Sequence, residues 1–158
     1  MKVDIGKYRN SGDDRDRKIN VKIQDFDLWN LDHTLALIIH PALIRLRDSK
    51  SGIPGQFVIN EDGTERDHDD AYADWVAALD EMIFAFGEVV NGNEGEEEFW
   101  SELPELDFSE HEEDIGKTTR PLRWVSDGKL DEDGHNTYRK RIDDGIELFA
   151  KHYLSLWT

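Results

Sequence analysis

Residues 138–157 read Tyr138-Arg-Lys-Arg-Ile-Asp-Asp-Gly-Ile-Glu-Leu-Phe-Ala-Lys-His-Tyr-Leu-Ser-Leu-Trp157. Tyr138, Ile142, Ile146, Phe149, Tyr153 and Leu156 recur every three or four positions. At 100° per residue they fall within an arc of about 80°, the stripe of an amphipathic helix with one buried face. The spacing predicts a helix over about 135–157. Gly145 lies in the same stripe, where it costs helix stability but lets a second helix approach closely.

Working outward, the same period returns twice. Leu28, Leu31, Leu35, Ile38, Ile39, Ala42, Leu43 and Leu46 share one face and predict a helix over about 28–48, with a kink expected at Pro41. Trp75, Val76, Leu79, Met82, Ile83, Phe86 and Val90 predict another over about 70–90, ended by the turn sequence Asn91-Gly-Asn93. Ile19, Val21 and Ile23 alternate with polar residues, which reads as a short strand pairing with Met1–Ile5 across a charged turn at 11–18. Residues 56–69 read as loop with an extended piece at 57–59, and 122–125 as a short strand. Residues 91–120 read as an acidic loop region, with room for one short helix, pinned by Phe99, Trp100, Leu103, Leu106 and Phe108. The expected fold is mainly α: one domain over 1–158, three principal helices around one core, a small β element within 1–24, and long acidic loops.

Charge narrows the function classes. The 158 residues carry a formal net charge of -17. Between Glu61 and Asp114 there are twenty-one Asp and Glu residues against a single base, Arg66, so the acidity belongs to one segment. Such a field repels nucleic acid and anionic membranes and attracts cations or basic protein surfaces. Hydrophobic residues make up only 37% of the chain, yet five Trp and seven Phe argue for a real if modest core. With no cysteine, neither a disulfide nor a thiolate zinc site can form. No apolar run reaches the length of a membrane span and the charged N-terminus is unlike a signal peptide, so the expected location is the compartment of synthesis.

Candidate chemistry gathers first at the strand-to-helix junction. Trp29, His33 and His40 project close together at the border of the first helix's apolar face, with Asp32 alongside. That pattern suits a ligand pocket, or a divalent-cation site using Asp32 and His33. The plainer reading has Asp27 or Asn30 capping the helix and Asp32 complementing its dipole. On the second helix Asp70, Asp74, Glu81 and Glu88 form an acidic stripe that points away from the apolar face, whereas Asp80 lies nearer the apolar edge and suits an inward role. Two His-acid clusters, Asp67–Asp70 and His111–Asp114, read as solvated loops rather than calcium loops. Arg139, Lys140 and Arg141, with Arg120 and Arg123, could grip a phosphate, or they could neutralise the acidic segment. No phosphate-binding glycine loop and no nucleophile elbow is present.

Three stretches together carry a resemblance. They are Trp29-Asn-Leu-Asp-His-Thr-Leu-Ala36 continuing to Pro41; Trp75 with Leu79-Asp-Glu-Met-Ile83 and Ala85-Phe86; and Arg141, Gly145, Leu148-Phe149, Lys151, Tyr153 and Leu156-Trp157. In this combination the chain resembles a family of small uncharacterised proteins of tailed bacteriophages, and the opening residues Lys2 to Tyr8 are similar to that family's N-terminus in shortened form. Where the family often has Lys-His-Gly after the first helix, this chain has Lys50-Ser51-Gly52, which removes a histidine from any metal site there. The resemblance implies a phage origin and a location in the host cytoplasm or in the virion.

The expectation is therefore a non-enzymatic phage accessory protein that binds a host component, with a basic host protein as partner and no direct contact with nucleic acid or membrane. Glu96, Glu97, Glu98, Glu112 and Glu113 are the expected partner-binding residues. Trp29, His33, His40, Asp80 and Arg141 are the expected ligand-binding residues, with a signalling nucleotide as the alternative ligand. No cofactor is required, although a divalent cation is compatible with Asp32 and His33. Counter-defence fits this class, and a homo-oligomer is compatible with it. The alternatives are a metal-dependent nucleotide hydrolase using Asp32, His33 and Asp80, and a minor virion structural protein.

Overall fold

The computed structural model describes residues 1–6, 18–49, 52–109 and 122–157. The protein is mainly α. Its described elements run β1 (Lys2–Ile5), β2 (Ile19–Lys22), α1 (Asp25–Trp29), α2 (Leu31–Asp48), α3 (Gly55–Val58), α4 (His68–Val90), a 3-10 turn (Glu94–Phe99), β3 (Trp100–Glu102), β4 (Glu105–Leu106), β5 (Trp124–Ser126), β6 (Lys129–Leu130), α5 (Glu132–His152) and a final 3-10 turn (Tyr153–Ser155). The strands form three separate antiparallel pairs, β1 with β2, β3 with β6 and β4 with β5. No described helix is long and apolar enough to cross a membrane.

Helix α4 is the spine, because it packs against both α2 and α5. Its buried residues Ala71, Trp75, Leu79, Met82, Ala85 and Phe86 follow the three-and-four spacing that lets a helix bury a wide face. Ala36 and Leu43 of α2 complete this core, and Phe57, Leu148, Phe149 and Leu156 pack against it. Each fully buried large side chain contributes about 1.5–3 kcal/mol. Gly145 lets α5 come close: a Cβ there would lie 2.6 Å from both Ala85 Cβ and the Glu81 carbonyl oxygen.

Helix starts follow capping chemistry. Asp67 accepts hydrogen bonds from the Asp69 and Asp70 N–H groups at 2.9 and 3.3 Å, so α4 begins at His68, before the position that periodicity alone suggests. The acid-rich Asp67–Asp70 stretch is therefore a helix start. Asp131 likewise accepts from Gly134 N–H at 3.1 Å and starts α5.

Several expectations need correction. The helix foreseen over 28–48 is two helices broken at Asn30, whose ψ of 63° leaves the helical region. Asn30 makes no side-chain cap; Asp27 does the capping, on α1 rather than α2. The supposed buried face of that helix is turned, so that Ala36 and Leu43 meet α4 while Leu28, Leu31, Leu35 and Ile38 stay exposed. Residues 55–58 are a short helix, and of the expected extended piece only Ile59 is extended, bridging to Glu65. The acidic region holds, besides a short helical turn of the kind allowed for, the unforeseen strands β3 and β4, whose partners are β6 and β5. The turn at 11–17, the cluster at His111–Asp114, and Arg120 lie outside the described residues.

Candidate functional site

The junction that drew attention in the sequence forms a groove of about 800 Å³. Helices α1 and α2 supply Phe26, Asp27, Trp29, Asn30, His33, Thr34, Leu37 and Ile38, and the N-terminal hairpin supplies Met1 and Val3. Most of its polar groups are committed to holding the groove together. Asp27 is 9% exposed; it accepts from the Met1 ammonium and, at 2.7 Å, from Gln24 N–H. The ammonium and that backbone bond hold the Asp27 carboxyl below the usual carboxylate range. Thr34 Oγ1 donates to the Asn30 carbonyl at 2.9 Å. His33 is half-buried at the wall, and Trp29 is 85% exposed at the rim.

The other expected ligand residues are elsewhere. His40 lies about 10 Å further along α2 by helix rise and faces α4, where a Cβ on Gly87 would stand 3.2 Å from its Nε2. Asp80 is exposed and paired with Arg47 at 2.8 Å, which corrects its expected inward role. Arg47 is about 20 Å along the same helix from His33. Asp32, His33 and Asp80 therefore do not share a site, and among the described residues no group of three His, Asp or Glu side chains is placed to hold a metal ion.

Arg141 forms a two-pronged ion pair with Glu81, at 2.8 and 3.0 Å, and its guanidinium lies 3.7 Å over the Phe84 ring. Arg139 pairs with Glu96 at 2.7 Å and Lys140 with Asp144 at 2.6 Å. The cations of α5 thus neutralise neighbouring acids instead of converging on a phosphate. This also revises the acidic stripe of α4: Glu81 and Glu88 face α5, where Glu88 accepts a hydrogen bond from the Tyr138 hydroxyl. Burial and that carboxylate push the Tyr138 hydroxyl well above its ordinary pKa. Glu96 is structural too, because Arg139 holds its carboxyl below the usual range.

The carboxylates left over are the second candidate site. Arg47, Arg66, Lys129, Arg139 and Arg141 pair with Asp80, Asp74, Glu102, Glu96 and Glu81. Glu61, Glu65, Asp70, Glu94, Glu97, Glu98 and Glu105 are exposed and outside any of these pairs. Of the expected partner-binding set, Glu97 and Glu98 are exposed, Glu96 is paired with Arg139, and Glu112 and Glu113 lie outside the described residues.

One buried titratable group escaped the sequence reading. His152 is 3% exposed, its ring packed against Phe57 and Trp75 at centroid distances of 5.2 and 5.9 Å, with Nδ1 bonded to Gln56. Its signal was position: seven residues after Gly145, it falls on the buried face of α5. Burial, reinforced by Lys151, lowers its pKa below the ordinary value of 6.5. Below pH 6.5 the unfolded chain takes up a proton that the folded chain resists, so stability present at neutral pH is lost as pH falls through that window. Asp27 adds a separate loss at still lower pH, beneath the ordinary carboxylate range. We expect the melting temperature to fall between pH 7 and 5, and His152→Phe to flatten that slope, measured by thermal unfolding across pH; an unchanged slope would mean His152 is not buried neutral.

Comparisons of the chain with protein-family models, with curated proteins and with solved structures find no match.

Proposed function

We propose that this is a non-enzymatic binding protein that engages a basic partner through the exposed carboxylates of the 61–109 region. The observation that carries the reading is the residue left after internal pairing. Among the described residues, five cations neutralise five of the acids, and seven further exposed carboxylates make no ion pair or side-chain hydrogen bond. A protein that keeps such a density of like charge loses stability to self-repulsion, a cost offset when a partner supplies the cations. Spread carboxylates of this kind can stand in for a row of phosphates toward a protein that normally binds nucleic acid. The sequence resemblance to tailed-phage proteins makes a host protein the partner class and counter-defence the role, with the host cytoplasm as the place of action. The hydrolase alternative loses support, because its three proposed residues are not assembled.

Charge reversal tests the reading. Glu97→Lys with Glu98→Lys should weaken partner binding by about tenfold or more at low salt, since each rim charge acts chiefly on association rate and salt dependence. Both side chains are exposed, so the fold should be kept, checked by circular dichroism. Binding by the folded double variant that equals wild type at low salt would sink the proposal.

A further inference from the structure

Away from the acidic segment, the N-terminal hairpin and the first two helices present apolar side chains to solvent. In the hairpin Val3 pairs with Val21 and Ile5 with Ile19, so these four share one face of the ribbon, and all four are exposed. A two-stranded ribbon is marginal without a cover. Val3 lines the groove of α1 and α2 described above, and at its rim Phe26 and Trp29 are 84% and 85% exposed. The surface continues past Ile38 into a second groove of about 530 Å³ between α2 and the end of α5. We infer that two copies of this chain pair through this surface, each placing Phe26 and Trp29 into the other's groove.

Three considerations select a second copy as the occupant. The first is charge. The described residues from Met1 to Ile38 carry Lys2, Lys18, Lys22 and the terminal ammonium against Asp4, Asp25, Asp27 and Asp32, and so balance. Two chains of net charge -17 would repel across the acidic segment, but here they meet across a neutral face. That neutrality also gives a basic partner no reason to choose this face. The second is area. An aromatic side chain offers about 150–250 Å² for burial, so Phe26 and Trp29, the hairpin valines and isoleucines, and the exposed Leu37 and Ile38 of the groove wall together come close to the roughly 800 Å² per partner of a stable interface. The third is self-complementarity. Projecting rings and an open groove lie side by side on one surface, the arrangement a two-fold pair needs, since each patch must fit itself.

The inference is independent of the acidic surface and goes beyond binding a host component. Sedimentation equilibrium on the purified full chain should give twice the 18.3 kDa chain mass. Phe26→Glu with Trp29→Glu should raise the dimer dissociation constant by about thirtyfold or more, as loss of central aromatic anchors does, while Glu97→Lys with Glu98→Lys should leave the dimer intact. If the aromatic double variant fails to fold, wild type still decides the matter, because the melting temperature of a dimer rises with protein concentration and that of a monomer does not. A wild-type monomer with a concentration-independent melting temperature overturns the inference, as does a folded aromatic variant that remains dimeric.

Discussion

Gly145→Val should destabilise the protein by about 3 kcal/mol or more, near the top of the range for overpacked cores. The reason is what stands opposite. A Cβ at this position would lie 2.6 Å from Ala85 Cβ and 2.6 Å from the Glu81 backbone oxygen. A flexible side chain could retreat from such a contact, whereas a helix backbone cannot without moving the whole of α4. Valine adds two further methyl groups to that clash. Gly145→Ala should be milder, because alanine recovers about 1 kcal/mol of helix propensity against the same first contact. Urea unfolding followed by circular dichroism measures both, and the ranking valine worse than alanine worse than glycine is the expected result. A fully stable valine variant would show that α4 and α5 do not cross at Gly145.

Leu79→Ala should cost about 2–5 kcal/mol, the range for a large apolar side chain removed from a packed core. Leu79 is 1% exposed near the middle of the helix that both neighbours pack upon, so no single shift can refill the space. Against a typical stability of about 5–15 kcal/mol the loss would be visible as a large drop in unfolding midpoint. Leu103→Ala is the control: its side chain is 61% exposed, and such sites usually change stability by less than about 0.5 kcal/mol. Equal effects at the two positions would remove Leu79 from the core.

How far the fold was legible depended on what each signal encodes. Helix α4 could be read because Trp75, Leu79, Met82 and Phe86 repeat at the period of the structure that buries them. Gly145 could be read because a small residue inside an apolar stripe has few other reasons to be there. The break at Asn30 could not, since the capping that starts α1 as a separate helix depends on Asp27 reaching back to Gln24 and to the distant Met1 ammonium. Of the short strands, β5 (Trp124–Ser126) overlaps the strand read at 122–125, but β3, β4 and β6 escaped because each is two or three residues long, too short to show alternation, and Trp100 finds its partner thirty residues later at Leu130.

The candidate site shows a sharper limit. Projecting α2 and α4 on a wheel gives an angle for each residue and discards its height. His33 and Asp80 both looked available at the edge of an apolar face, but Arg47 holds Asp80 at the far end of α2 from His33. The α4 stripe looked solvated for a related reason. Its orientation relative to its own core was right, yet nothing in its spacing shows that α5 brings Arg141 and Tyr138 alongside Glu81 and Glu88. Ion pairs between helices belong to packing, which one helix's period does not contain.

The most direct test of the proposed function is native mass spectrometry on the tagged protein recovered from a bacterial lysate. The expected result is a retained protein-sized mass that is released by added salt and is absent when Glu97→Lys and Glu98→Lys are combined. Recovery of a retained mass of only a few hundred daltons, unaffected by those two substitutions, would contradict the acidic-surface reading and point to a sequestered nucleotide or a substrate instead.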